Sequence, residues 1–154
     1  MKIMVSNFIW IALLQFVGFG LGKITKANMH WYSSLHKSLA SPSPKVFPIA
    51  WTLLYIMIAL AGSFFWKRRH EPAIRPLLKM YSIQLLLNWI WTPIFFEWKL
   101  IGLAFFLILS MISINLLIII RAKKEYFFVT SMMTPYTIWL IFAGYLNFII
   151  WKIN

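Results

Sequence analysis

The spacing of the long apolar runs constrains this chain more than any other feature. Of the 154 residues, 62% are hydrophobic and 12% are charged, and a soluble domain of this size cannot cover so much apolar surface. A run of about 20 apolar residues is long enough to cross a bilayer as a helix. Five such runs occur, at residues 5–22, 47–66, 77–96, 100–120 and 127–151. The sequence therefore predicts an all-α membrane protein: one domain over residues 1–154, built as a bundle of five transmembrane helices.

The positions of the charged residues limit the partners of the chain. A net charge of +12 would suit a nucleic-acid-binding protein, but the cations lie almost entirely in the gaps between apolar runs, where they meet anionic lipid headgroups. We therefore expect the lipid bilayer as a partner and no nucleic acid. The positive-inside rule favours a cytoplasmic N-terminus, because nine of the 15 cations fall on that side: Lys2, Lys67, Arg68, Arg69, Arg75, Lys79, Arg121, Lys123 and Lys124.

The only long connection between the apolar runs covers residues 23–46. Its prolines, among them Pro42 and Pro44, prevent a long helix, while Trp31 and Tyr32 provide apolar surface that a folded segment can bury. The pattern predicts a structured lid between the first and second helices, packed over one end of the bundle. A mobile surface loop is the alternative.

No set of residues suits acid–base, thiol or metal chemistry. Glu71, Glu97 and Glu125 are the three acidic residues; all lie in or beside connections, so no carboxylate pair can be assembled. Cysteine is absent, which excludes thiolate ligands and nucleophiles. His30 and His36 could ligate a metal or haem iron, but without further ligands we interpret them as solvated loop residues. We expect no metal and no obligatory cofactor.

The last apolar run carries polar and aromatic side chains that a lipid-facing helix does not need. Trp139, Ala143 and Asn147 follow one another at intervals of four residues, so they lie on one line along a helix. This stripe is predicted to face inward, toward other helices or toward something held between them.

Two further stripes are predicted to meet the first one on the lid side of the bundle. They are Phe47, Trp51 and Tyr55 on the second predicted helix, and Gln84, Asn88 and Trp91 on the third. Together the stripes would enclose a pocket with aromatic walls and a few amide groups, which suits a flat, largely apolar ligand. The alternative is that these aromatic side chains only fill a helix interface.

In these stretches the sequence resembles the tryptophan-rich sensory protein/translocator protein family, also called the peripheral benzodiazepine receptor family. Its lid departs from the family's Lys-Pro and Pro-Pro-Gly, with Lys37-Ser38 and Pro42-Ser43-Pro44 in their places. Four ordered blocks carry the resemblance over most of the chain: Trp31-Tyr32-x-x-Leu35-x-Lys37, Val46-Phe47-Pro48-x-x-Trp51-Thr52-x-x-Tyr55, Gln84-x-x-x-Asn88-x-x-Trp91 with Phe95-Phe96, and Pro135-Tyr136-x-x-Trp139-x-x-Phe142-Ala143-x-Tyr145-Leu146-Asn147.

The resemblance implies a bacterial cell-membrane protein that forms a homodimer of five-helix bundles. It implies binding of porphyrins such as protoporphyrin IX, and of isoquinoline carboxamide or benzodiazepine-type ligands. Some bacterial members are associated with light- and oxygen-dependent porphyrin breakdown, which by position would fall on Trp51 and Trp139 and would not be conventional enzyme catalysis. The residues expected to contact the ligand are Tyr32, Pro42, Phe47, Trp51, Tyr55, Asn88, Trp91, Trp139, Ala143 and Asn147.

Three functions fit these observations. The first is a tetrapyrrole-binding protein that sequesters, senses or helps to degrade porphyrin under light or oxidative stress. The second is a carrier that moves porphyrin or another apolar metabolite across the bilayer. The third is a scaffold or regulatory subunit in which Gly18 and Gly22, spaced as a GxxxG pair, mediate helix association.

Overall fold

The part of the chain that the computed structural model describes, residues 2–122 and 125–154, is mostly helical. Short connections join most of the helices, so neighbouring helices run antiparallel. No strand occurs in the described ranges. The α-helices are α1 (Lys2–Ala27), α2 (Met29–Ser34), α3 (Val46–Lys67), α4 (Ile74–Thr92), α5 (Ile101–Ala122) and α6 (Phe127–Ile153), and α4 continues into a π-helical turn at Pro93–Glu97.

Four of the described helices, α1, α3, α5 and α6, are long and apolar enough to cross a membrane. The all-α architecture is therefore confirmed, whereas the predicted count of five spans is matched by four. The exception is α4, which with the π turn covers the whole of the predicted third run. It has Arg75 and Lys79 in its first two turns and Gln84 and Asn88 further along, and these four polar side chains lower its mean hydropathy.

The central helices bury side chains that meet in one core, while α1 lies at its edge. Ile58, Tyr81 and Tyr136 are fully or almost fully buried, and they come from α3, α4 and α6. By contrast, Phe8 and Phe16 of α1 are 73% and 77% exposed. An apolar face of this kind is stable in contact with acyl chains, which agrees with a membrane environment.

The long connection is shorter than the apolar pattern alone indicates, because α1 continues to Ala27, past the end of the first apolar run. Lysine and threonine at the membrane boundary remain compatible with a helix, so hydropathy marks only the apolar part of α1. The connection then contains the short helix α2 and an irregular segment that leads to α3. Its aromatic residues Trp31 and Tyr32 are half-buried, as expected for a packed lid.

The connection between α4 and α5 is tight and includes one residue in the left-handed region. The Trp98 N–H donates to the carbonyl of Pro93 at 2.9 Å, five residues back, so the helix widens into a π turn after the proline. Lys99 follows with φ of 59°, a conformation that a side chain makes less favourable. The π turn places Phe95 and Phe96 beside the lid.

Gly18 and Gly22 have different surroundings in the fold. A Cβ at Gly18 would lie 2.6 Å from Cε2 of the Tyr55 ring, whereas a Cβ at Gly22 would meet nothing within 4 Å. Gly18 therefore allows close packing of α1 on α3, and Gly22 has no packing role among the described residues.

We predict that Gly18→Leu destabilises the protein by about 1–3 kcal/mol, because the added side chain must displace Tyr55. Gly22→Leu is the matched control, since both changes gain the same helix propensity. Thermal unfolding of both variants in one detergent measures the difference. Equal melting temperatures for the two variants would contradict the packing role of Gly18.

Candidate ligand site on the lid side of the bundle

Trp51 lies on α3, one turn before Tyr55, and is held between two tyrosine rings. Its ring centroid is 5.6 Å from that of Tyr55 and 6.5 Å from that of Tyr136, the second contact being edge-to-face. The indole is half-buried and packs against the main core. Trp51 thus faces the interior of the bundle, as the sequence predicts.

A chain of buried hydrogen bonds crosses the bundle beneath Trp51. The Tyr55 hydroxyl donates to Oδ1 of Asn88 at 2.9 Å, and Nδ2 of Asn88 donates to the Tyr136 hydroxyl at 3.0 Å. The Tyr136 hydroxyl donates in turn to Oε1 of Gln84 at 3.0 Å. These bonds link α3, α4 and α6 through groups that are almost completely removed from solvent. Both polar atoms of the Asn88 amide are therefore hydrogen-bonded to tyrosine hydroxyls.

Two further amides lie close to this chain. Nε2 of Gln84 is fully buried and has no hydrogen-bond partner in the described ranges. Asn115 is also fully buried and lies beside the Tyr136 hydroxyl, one helical turn from Met111, whose Sδ is 3.9 Å from that hydroxyl. Buried polar atoms are normally satisfied, so the Gln84 amide is an unused donor in this part of the core.

Trp139 faces the start of α3 from α6. Its ring is 6.1 Å from Phe47, edge-to-face, and 5.7 Å from Phe142. Nε1 of Trp139 is buried, and no partner for it occurs among the described residues. Trp51 and Trp139 both pack against the main core from its edge. The structure therefore brings two indoles and Phe47 to the lid side of one bundle.

The buried face of α6 is offset from the predicted stripe. Met133, Tyr136 and Leu140 are buried, whereas Trp139 and Ala143 are half-buried. At about 100° per residue, Trp139 lies about 60° around the helix from Tyr136. Trp139 and Ala143 of the predicted stripe thus lie at the margin of the inward face, whereas Asn147 is buried within it and Tyr136 is at its centre.

The lid packs its aromatic residues on the π turn. Trp31 lies 5.8 Å from Phe95, and Tyr32 lies 5.7 Å from Phe96. Burial raises the pKa of the Tyr32 hydroxyl above its usual range, so this group stays neutral at physiological pH. Lys37 fixes the end of α2, because its Nζ donates to the carbonyl of Tyr32 at 2.7 Å.

Trp91 packs on the same small cluster as the lid rings, and Asn147 joins α6 to the start of α5. Trp91 stacks on Phe95 with ring centroids 5.0 Å apart, and Nδ2 of Asn147 donates to the carbonyl of Ile101 at 2.9 Å. Nε1 of Trp91 and Oδ1 of Asn147 are buried and lack a partner in the described part of the chain. Pro42 is half-buried in the irregular segment of the lid.

A two-point hydrogen bond fastens the lid to the end of α6. The His36 N–H donates to Oδ1 of Asn154 at 2.9 Å, and Nδ2 of Asn154 donates to the His36 carbonyl at 3.0 Å. The Ser38 and Tyr145 hydroxyls are 3.2 Å apart nearby. We call the paired contact between His36 and Asn154 the lid latch.

Seven of the ten predicted site residues form three groups, while Asn147 bonds to Ile101 and Pro42 and Ala143 are half-buried. Trp51, Tyr55 and Asn88 meet at Tyr136, Phe47 meets Trp139, and Tyr32 meets Trp91 through the rings of Phe95 and Phe96. Stripe reasoning missed Tyr136 and the Phe95-Phe96 pair as contacts; both occur in the blocks of the resemblance. Gln15 of α1 is a further intramembrane amide, and its Nε2 donates to the carbonyl of Thr52 at 2.8 Å.

These features define an integral membrane protein whose helical bundle holds Phe47, Trp51 and Trp139 beneath a fastened lid. We call these three rings the aromatic cluster. A family model described as TspO/MBR family matches residues 10–152, and the chain belongs to that family. The resemblance inferred from the sequence is confirmed.

Individual relatives match over most of their length. The chain is 32% identical to Protein CrtK of Rhodobacter capsulatus over 126 residues, covering 80% of this chain and 78% of that protein. It is 30% identical to the tryptophan-rich sensory protein of Cereibacter sphaeroides over 156 residues, covering 96% and 94%. It is 29% identical to the translocator protein of Sus scrofa over 130 residues, covering 82% and 76%.

We predict that Asn88→Leu destabilises the protein by about 1–3 kcal/mol, because it leaves the Tyr55 and Tyr136 hydroxyls unpaired in the core. Ser82→Ala on the same helix is the control, since Ser82 is exposed and bonds only to the Leu78 carbonyl of its own helix. Chemical unfolding measures both variants. A triple variant, Tyr55→Phe, Asn88→Leu and Tyr136→Phe, should recover part of the loss, and a further loss would contradict this explanation.

We also predict that Asn154→Leu releases the lid. Loss of both bonds of the lid latch should speed hydrogen exchange at the His36 amide about tenfold. Lys152→Gln, an exposed change on the same turn, should leave that rate as it is. Exchange measured by mass spectrometry on a peptide covering the lid tests this, and equal rates in the two variants would show that the latch does not hold the lid.

Proposed function

We propose that this protein binds porphyrins such as protoporphyrin IX between its lid and the aromatic cluster, and that it promotes their light- and oxygen-dependent degradation under stress. The observation that carries the proposal is the inward placement of Trp51 and Trp139 on the lid side of one bundle. Aromatic side chains provide stacking contact for a flat macrocycle. The same surfaces would suit isoquinoline carboxamide or benzodiazepine-type ligands.

Buried polar atoms without partners support a ligand with polar groups at its edge. Nε1 of Trp91, Nε1 of Trp139 and Oδ1 of Asn147 lack partners within the described ranges. Pairing these atoms with pyrrole nitrogens or carboxylates would remove an unfavourable desolvation term. Tyr32, Pro42 and Ala143 lie half-buried in the lid and on α6, where they would complete the contact with the ligand.

Degradation would use the electron-rich indoles and not a conventional catalytic group. An excited porphyrin transfers energy to molecular oxygen, and an indole beside the macrocycle intercepts the reactive species formed there. The bundle holds Trp51 between two tyrosine rings, which would keep it at a constant distance from a bound ligand.

The carrier hypothesis receives less support from the core. Below Trp51, the interior is filled by Leu14, Ile58 and Tyr81, each at most 1% exposed, so a macrocycle would have to separate the helices to pass. The scaffold hypothesis relied on the GxxxG pair as a contact surface for another protein. Gly18 of this pair packs on Tyr55 of its own chain instead. Binding is therefore the function that we place first.

We propose a membrane arrangement with one more transmembrane helix than the four apolar helices. We infer that α4, which packs against α3 and α5 inside the bundle, completes a set of five transmembrane helices. The excess of cations at the end opposite the lid favours a cytoplasmic N-terminus. We further propose a homodimer in the bacterial cell membrane.

We predict that the double variant Trp51→Phe, Trp139→Phe keeps porphyrin binding within about threefold but loses most light-dependent degradation. Phenylalanine retains an aromatic wall and removes the indole. Binding is followed by the shift of protoporphyrin IX absorbance in the dark, and degradation by its loss under illumination in air.

The double variant Trp66→Phe, Trp98→Phe is the matched control, because both indoles are largely exposed, at 49% and 61%. It should behave as the unaltered protein in both measurements. Absence of a dark absorbance shift in the unaltered protein would reject binding. Equal degradation by the two double variants would retain binding and reject the role of the indoles.

A further inference from the structure

A cleft lies at the end of the bundle opposite the lid, where α1 begins, α3 ends and α6 begins. It has a volume of about 310 Å³ and is lined by Asn7, Phe64, Lys67, Arg68 and Phe128. None of these residues belongs to the candidate porphyrin site. The cleft combines two cations with two phenylalanine rings at the level where helix ends meet the membrane surface.

Both cations are held in place by neighbouring side chains. Nζ of Lys67 donates to Oδ1 of Asn7 at 2.6 Å, and the Ser63 hydroxyl donates to the same oxygen at 2.8 Å. Because Oδ1 of Asn7 accepts both bonds, its Nδ2 is turned away from these two donors. The cleft therefore offers the positive charge of Lys67 at a fixed position.

Arg68 is fixed by one carboxylate and two rings. Its Nε donates to Oε1 of Glu71 at 2.6 Å, and its guanidinium lies 5.2 Å from the Phe64 ring centroid and 4.9 Å from that of Tyr126. Since Nε forms the bond to Glu71, the guanidinium keeps two further nitrogens that can donate elsewhere. Contact with Phe64 places the cation directly against an apolar wall.

Positive charge exceeds negative charge at this end of the bundle. Glu71 and Glu125 are its two acidic residues, and Glu71 is already paired with Arg68. Apart from the two in the cleft, the cations of this end include Arg69, Arg75, Lys79 and Arg121. An anion would therefore be attracted to this end and find its fixed donors in the cleft.

We propose that this cleft binds the headgroup of an anionic phospholipid. The phosphate contacts Lys67 and Arg68, and the first part of an acyl chain lies on Phe64 and Phe128. The two rings are 6.0 Å apart, and Phe128 is 43% exposed, so an apolar chain can reach them from the bilayer. A small soluble phosphate would use the cations but not these walls, which favours a lipid as the occupant.

Native mass spectrometry of the purified full chain tests the proposal, with dioleoylphosphatidylglycerol as the probe and dioleoylphosphatidylcholine as the zwitterionic comparison. The variant Lys67→Gln, Arg68→Gln should bind the anionic lipid about 30-fold more weakly, at about five- to sixfold for each cation. The variant Arg75→Gln, Lys79→Gln removes the same charge from exposed positions outside the cleft and should change binding by less than about threefold.

A second variant keeps the test decisive if loss of Arg68 disturbs folding. Phe128→Asp places a carboxylate in the cleft at an exposed position and should weaken binding at least as much, while porphyrin binding stays unchanged. Equal losses of affinity for the anionic lipid in the two double variants would show that only the overall positive charge of this end attracts it, and this would overturn the proposal. Full binding by Phe128→Asp, equal affinity for the two lipids, or displacement of the lipid by millimolar inorganic phosphate would overturn it as well.

Discussion

The hydrogen-bond chain from Tyr55 through Asn88 and Tyr136 to Gln84 is the interaction on which the rest of the bundle depends. In an interior without water, a hydroxyl or amide that finds no partner costs several times the net gain of a bond. Each member of the chain therefore fixes the rotation of its helix about the helix axis. Because α3, α4 and α6 all contribute, one set of polar contacts determines which faces of three helices look inward.

The rotation of these helices determines where the indoles lie. Trp51 is one turn from Tyr55 and touches Tyr136, so the polar chain below also positions the aromatic layer above it. Trp139 is carried to the same side by α6, where Phe47 meets it. The lid adds its own rings through the π turn, whose shape follows from Pro93 and ends at Lys99. Polar bonds, aromatic layer and lid thus form successive levels toward one end of the molecule.

The apolar runs were sufficient to predict an all-α membrane fold, and i, i+4 spacing was sufficient to place Trp51 and Trp139 toward the interior. The rotation of α6 could not be predicted, because most positions between Phe127 and Ile153 are apolar and its few polar residues do not mark one face. Tyr136 was missed as the central residue for this reason. The hydrogen bonds of Asn88 to two tyrosines could not be predicted either, since a side chain's partners on other helices depend on tertiary contacts. In α4, the polar residues that build the core are the same ones that lower its apolar signal.

The lid latch is formed with the main chain of His36 and not with its side chain. Asn154 pairs with the N–H and carbonyl of His36 in the way one strand pairs with another, so any residue except proline at that position offers the same two groups. Substitutions in the lid, such as the serines where the family has proline, can accumulate without removing the fastening. The sequence of a lid fastened in this way is free to diversify in evolution. Related proteins could therefore acquire different ligand specificities while their lids open and close by one shared mechanism.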